Sequence, residues 1–288
     1  MSDQAERLRS RLKEKHGTKK ARTVAVSSGK GGVGKSNFTI NFALKLLQQD
    51  KKVLIIDMDI GMGNIDILLG VSPKYSFVDL FHHGHSIHDI IESGPENLSY
   101  IAGGSGLSDV FQLDQAKFKH FQSQFESILT SFDFILFDMG AGATNDSLNF
   151  ISAADEAFVV TTPEPTSITD AYAMIKHLVR IDEQLPISIL VNRSLKEKSD
   201  SSFKRLETVV DRFLMKQVTS LGVIPDDRSV LKSVNRQQPF VLAHPTCKAS
   251  RAMTDVVDHY LSDYEVEPTF EEVPSFLSKL KRFVFERS

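Results

Sequence analysis

The chain has 288 residues, 41% of them hydrophobic and 25% charged, with a formal net charge of -3 at pH 7. That length buries a large core, and that charge excludes a uniformly basic surface while leaving room for local basic patches. The single cysteine, Cys247, excludes a disulfide framework and any four-cysteine zinc or iron–sulfur site built from one chain.

Residues 1–22 carry eight Lys or Arg against three acids and form a basic arm. They hold no apolar stretch of the secretory type, and no run of eighteen apolar residues follows, so the chain is expected to stay inside the cell without spanning a bilayer. Beyond the arm, strand-like apolar runs recur at 23–28 (TVAVSS), 52–57 (KVLIID), 98–104, 133–138 (DFILFD), 157–162, 187–192 (ISILVN) and 220–225. They are rich in Val, Ile and Phe with little polar alternation, the pattern of strands buried on both faces. Segments with helical spacing lie between them at 37–48, 114–132, 168–182, 199–216 and 248–264. The alternation predicts a doubly wound, mostly parallel α/β sheet flanked by helices, with ligands at the C-terminal ends of the strands. The core domain is expected over 23–265. An acidic, Pro-broken linker at 266–273 then leads to a terminal helix over 274–288.

Between the first strand and first helix lies Gly29-Lys30-Gly31-Gly32-Val33-Gly34-Lys35-Ser36, followed by Asn37. It satisfies G-x-x-x-x-G-K-[ST] in the strand–loop–helix context that gives the motif its meaning. Glycines let backbone N–H groups converge on phosphate oxygens, and the helix N-terminus adds partial positive charge. Lys35 is expected on the β- and γ-phosphates, with the Ser36 hydroxyl on Mg2+. Two further strand ends carry acids: Asp57 and Asp59 after the second strand, and Asp138 after DFILF.

K-G-G-V-G-K-S resembles the deviant phosphate loop of the MinD/ParA ATPases, P-loop NTPases of the SIMIBI class. The resemblance implies an ATPase that forms a homodimer on ATP. Lys30 of each subunit would reach the nucleotide of the other, supplying positive charge in trans; on its residue type alone, Lys30 equally suits an exposed loop or its own subunit's phosphates. D-M-D-I-G resembles switch I of that family, which implies that Asp59 positions the attacking water and Asp57 stands close to the Mg2+ shell. D-M-G-A-G resembles switch II, which implies that Asp138 holds Mg2+ through water and that Gly140 and Gly142 sense the γ-phosphate. Asn192-Arg193 resembles the family's adenine site, completed through main chain near Pro225 and Asp226. No N-K-x-D guanine motif is present, so ATP is expected over GTP.

The last segment, SFLSKLKRFVFERS, sets Phe276, Leu277, Leu280, Phe283 and Val284 near one helical face, with Lys279 and Lys281 among its basic flanks. That pattern suits a helix lying in an anionic membrane interface and equally a terminal helix packed on the core. The resemblance to MinD-like proteins favours the membrane. At the other end, D-Q-A-E-R-L-R resembles the opening of the flagellar MinD-like group known as FlhG, YlxH or FleN. That implies control of flagellar number and placement, stimulation of an FlhF-like SRP-type GTPase through Asp3, Gln4, Ala5, Leu8 and Arg9, and basal-body (C-ring) partners. Nucleic acid is not an expected partner. The alternatives are a ParA-like partition ATPase on nonspecific DNA and a MinD cell-division regulator. The histidines at 82, 83, 85 and 88 are not expected to bind metal, having no cysteine or tight carboxylate cluster.

Overall fold

The strands expected from the apolar runs form β1 (Arg22–Ser27), β2 (Val53–Met58), β4 (Ser99–Ile101), β5 (Phe134–Met139), β6 (Glu156–Thr161), β7 (Ile187–Ser194) and β8 (Thr219–Pro225). A two-residue strand, β3 (Glu92–Ser93), joins them. The structure is a computed structural model describing residues 20–59, 63–82, 84–104, 115–195, 201–266 and 275–286. The arm positions Asp3, Gln4, Ala5, Leu8 and Arg9, together with His83 and nearly all of the acidic linker, lie outside the described residues.

The sheet order is β3-β4-β2-β5-β1-β6-β7-β8. All pairings are parallel except β3 with β4. β2, β5 and β6 are buried along their whole length, as double-sided coverage requires.

The helices are α1 (Lys35–Leu47), α2 (Ile65–Leu69), α3 (Asp79–His82), α4 (Gln115–Ile128), α5 (Asn145–Ala153), α6 (Pro165–Ile181), α7 (Ser201–Leu214), α8 (Arg228–Asn235), α9 (Phe240–Ala243), α10 (Lys248–Val266) and α11 (Phe276–Phe285). One apolar layer joins α4, α5, α6, α7 and α11 to one face of the sheet. The other joins α1, α2, α9 and α10 to the opposite face. Local chemistry fixes several helix starts. The Thr144 hydroxyl accepts from Ser147 N at 3.2 Å to cap α5, the Asp227 carboxylate accepts from Ser229 N at 2.8 Å to cap α8, and Pro165 opens α6.

Helix α11 is docked on the core. Phe276 packs among Phe137, Phe125 and Phe150 with ring centroids 5.0, 5.2 and 5.8 Å apart. Leu277, Leu280 and Phe283 are buried with it, Val284 is half-buried and Lys281 is exposed. Lys279 is 8% exposed, its ammonium 3.4 Å from the Ala154 carbonyl oxygen. The face expected to meet a membrane is therefore occupied by protein. The physical reason is that α4, β5 and α5 leave an aromatic surface that needs a cover, and an apolar helical stripe fits it as well as it fits a lipid interface.

Candidate nucleotide site

The loop between β1 and α1 sits at the C-terminal edge of the sheet, and backbone geometry explains its glycines. Gly34 precedes α1 at φ +91°, in the left-handed region. A Cβ on Gly29 would stand 2.1 Å from the Asp170 carbonyl oxygen, so α6 packs directly on the start of the loop. Gly31 and Gly32 are exposed, Val33 is buried, and Ser36 and Asn37 are half-buried at the head of α1.

Lys35 is 6% exposed, its Nζ 2.8 Å from Asp138 Oδ1 and 3.3 Å from Ser36 Oγ. Asp138 is fully buried. Its Oδ1 also accepts from the Thr39 hydroxyl at 3.0 Å, while its Oδ2 has no partner among the described residues. Asp57 lies beside it in register on β2. One Asp57 oxygen accepts from Asp59 N at 2.9 Å, the other from Asn64 N at 3.0 Å and Ile65 N at 3.2 Å. Burial, reinforced by the neighbouring Asp138 carboxylate, pushes the Asp57 carboxyl up to about 7. These bonds make Asp57 the anchor of the loop that carries Asp59. Asp59 is half-buried, and a Cβ on Gly140, just after β5, would stand 3.2 Å from its Oδ1. Burial also raises the Asp59 carboxyl, opposed by the charge of Lys35. Gly142 lies two residues further along the same loop.

Lys30 does not point into this cluster. Its Nζ binds Glu164 Oε2 at 2.9 Å and Thr166 Oγ1 at 3.2 Å, both at the start of α6 in the same chain. The Lys30 hydrogen bond and charge hold the Glu164 carboxyl below its usual range. The expected base site has its own internal contacts. The Asn192 amide nitrogen donates to the Val33 carbonyl at 2.8 Å, and its oxygen accepts from Arg193 N at 3.0 Å. Asn192 thus ties the end of β7 to the phosphate loop. Arg193 has φ +53°. Pro225 is paired with Ser194 across β7 and β8, and exposed Asp226 donates its N–H to Ser194 O at 2.8 Å.

The structure therefore gathers Lys35, Ser36, Asp57, Asp59 and Asp138 around one point and holds Lys30 apart from it. Sequence reasoning missed Thr39, Glu164 and Thr166. Thr39 was findable, because a residue four beyond Lys35 lies one helical turn along the same face. Among the histidines, His85 packs against Tyr75 with ring centroids 4.2 Å apart, and the His88 ring meets the Ser127 hydroxyl at 3.0 Å.

Residues 21–195 match the family described as an AAA domain. The chain is 36% identical over 234 residues to the antiactivator FleN of Pseudomonas aeruginosa, covering 81% of this chain and 84% of that protein. It is 30% identical over 278 residues to the flagellum site-determining protein YlxH of Helicobacter pylori, covering 91% and 90%. Among solved structures, the septum site-determining protein MinD of Pyrococcus horikoshii, complexed with Mg-ADP, superimposes with a TM-score of 0.70 at 25% identity, covering 86% of this chain and all of that one. A mostly parallel sheet with the phosphate loop at its centre, acids at the ends of β2 and β5, and these relatives place the chain in the MinD/ParA family of P-loop ATPases, in its FlhG/FleN group.

Proposed function

We propose that this ATPase is a Mg2+-dependent, membrane-associating switch that controls the number and placement of flagella. The observation that carries the reading is the state of the phosphate loop: Lys35 rests on a buried Asp138 whose second oxygen is unpartnered among the described residues. A buried carboxylate oxygen in that condition lacks a donor, and a water held on the counter-ion of a bound phosphate would supply one. The residues fit magnesium, with the Ser36 hydroxyl as a direct ligand and Asp138 acting through water. Asp57, with both oxygens engaged by backbone N–H groups, serves the site by holding the switch I loop. Bound there, the ion would neutralise charge developing on the transferred phosphoryl group.

Lys35 would leave Asp138 for the phosphates, and Asp59 would orient the attacking water. Lys30 would leave Glu164 and cross to the nucleotide of a second copy. The Lys30–Glu164 pair is exposed, and exposed pairs stabilise little. It is therefore a parking place, easily vacated. Dimerisation would release α11 from the Phe125–Phe137–Phe150 face, and two released helices would bind an anionic membrane with avidity. Hydrolysis would reset the protein, leaving it peripheral on the inner face of the cell membrane only while ATP is bound. The basic arm would stimulate an FlhF-like GTPase, and basal-body proteins would be the flagellar targets. FleN and YlxH, named for antiactivation and for flagellum site determination, support that assignment.

Co-sedimentation with anionic vesicles tests the reading. Full-length protein is expected to pellet with ATP and to stay in the supernatant with ADP. Lys281→Glu combined with Arg282→Glu should lose pelleting while keeping the fold, because both side chains are exposed on docked α11. Equal pelleting with ATP and ADP would contradict the proposed switch.

A further inference from the structure

We propose that Thr39 is a positioning residue for the magnesium-linked carboxylate, holding Asp138 in place while Lys35 is handed over to the phosphates. The inference rests on the reading of this cluster as a Mg2+–ATP site. Thr39 is fully buried on the first turns of α1. Its hydroxyl lies 3.1 Å from the Lys35 carbonyl oxygen and 3.0 Å from Asp138 Oδ1. Both neighbours are acceptors and a hydroxyl has one proton to give. The carboxylate takes it, since hydrogen bonds to a charged acceptor are roughly twice as strong as neutral ones. The Lys35 carbonyl has the helical N–H of the following turn as its other donor.

Consider what happens to Asp138 when Lys35 moves. Oδ1 now receives two hydrogen bonds, one from Lys35 at 2.8 Å and one from Thr39. Lys35 is on a flexible four-carbon stem, whereas the Thr39 hydroxyl is fixed to a helix packed between the sheet and α10. Once Lys35 departs, Thr39 is the donor that remains. It keeps the carboxylate plane from rotating, so that Oδ2, which has no partner among the described residues, keeps its direction. Donors to a metal's direct ligands typically control affinity by about 10–100-fold, and Thr39, whose carboxylate would act through water, stands one shell further out, at the low end of that range.

The test uses Thr39→Val, which keeps the shape and removes the hydroxyl, and Thr39→Ser, which restores it. Binding of a fluorescent non-hydrolysable ATP analogue is measured with EDTA and across a Mg2+ titration, with thermal melts to confirm folding. The expected result is a Mg2+ half-saturation raised about tenfold in Thr39→Val. Thr39→Ser should stay close to the parent chain, and affinity in EDTA should be alike in all three. Half-saturation in Thr39→Val equal to the parent's, or equal impairment of Val and Ser variants, would overturn the proposal. If the parent chain binds the analogue identically with and without Mg2+, the Mg2+–ATP reading itself falls. A Val variant that melts early but shows the parent's half-saturation in its folded fraction would also overturn it.

Discussion

Lys35→Ala is expected to abolish ATP hydrolysis and, in the absence of any nucleotide, to lower the stability of the fold by about 3 kcal/mol. The first effect follows from the place of this lysine in the phosphate loop. The second follows from its partner. Asp138 is fully buried, Lys35 is its only cationic contact among the described residues, and Asp57 lies beside it in register. Removing one member of a buried pair leaves the other charge uncompensated, which costs more than the pair contributes. Urea denaturation of the nucleotide-free protein checks this, with the loss seen in the midpoint at unchanged slope. A variant inactive yet as stable as the parent would mean that the Lys35–Asp138 pair does not hold the fold together.

Phe276→Ala is expected to cost about 3 kcal/mol, within the range for truncating a buried Phe. The residue is 3% exposed and packed among three core rings, so little can collapse into the space it leaves. The same change weakens docking of α11 and uncovers the Phe125, Phe137 and Phe150 face, which should bind a hydrophobic dye in the nucleotide-free state. Lys281→Ala on the exposed side of the same helix should leave stability within about 0.5 kcal/mol. If Phe276→Ala and Lys281→Ala are indistinguishable, α11 is not docked in the nucleotide-free protein.

Much of the architecture was legible because buried parallel strands advertise themselves. The run DFILFD became Phe134–Met139 and KVLIID became Val53–Met58, each displaced by a single residue. The phosphate loop was legible from its glycines and flanks. What escaped were features set by tertiary context. The strand Glu92–Ser93 is two residues of antiparallel edge and leaves no periodic trace. Helix Asn145–Ala153 is short and opens with polar Asn and Asp, its start fixed by the Thr144 cap. The apolar stripe of α11 carries no information about whether protein or lipid will cover it. Likewise, no local pattern told that Lys30 would lie on Glu164, 134 positions away, or that Asn192 would grip the Val33 carbonyl, 159 positions away.

The proposed switch requires that Lys30, bound to Glu164 of its own chain in this structure, complete a neighbour's nucleotide site when ATP is present. Mixing two inactive variants provides the test. Lys30→Ala keeps Asp59 in its own site but lacks the crossing lysine; Asp59→Ala keeps Lys30 but cannot position water. Each alone is expected to bind ATP without turnover. Mixed at equal concentration, they should form dimers in which Lys30 of the Asp59→Ala chain enters the intact site of the Lys30→Ala chain, and hydrolysis should return. A mixture as inactive as its components, while dimers form with a non-hydrolysable analogue, would contradict the account.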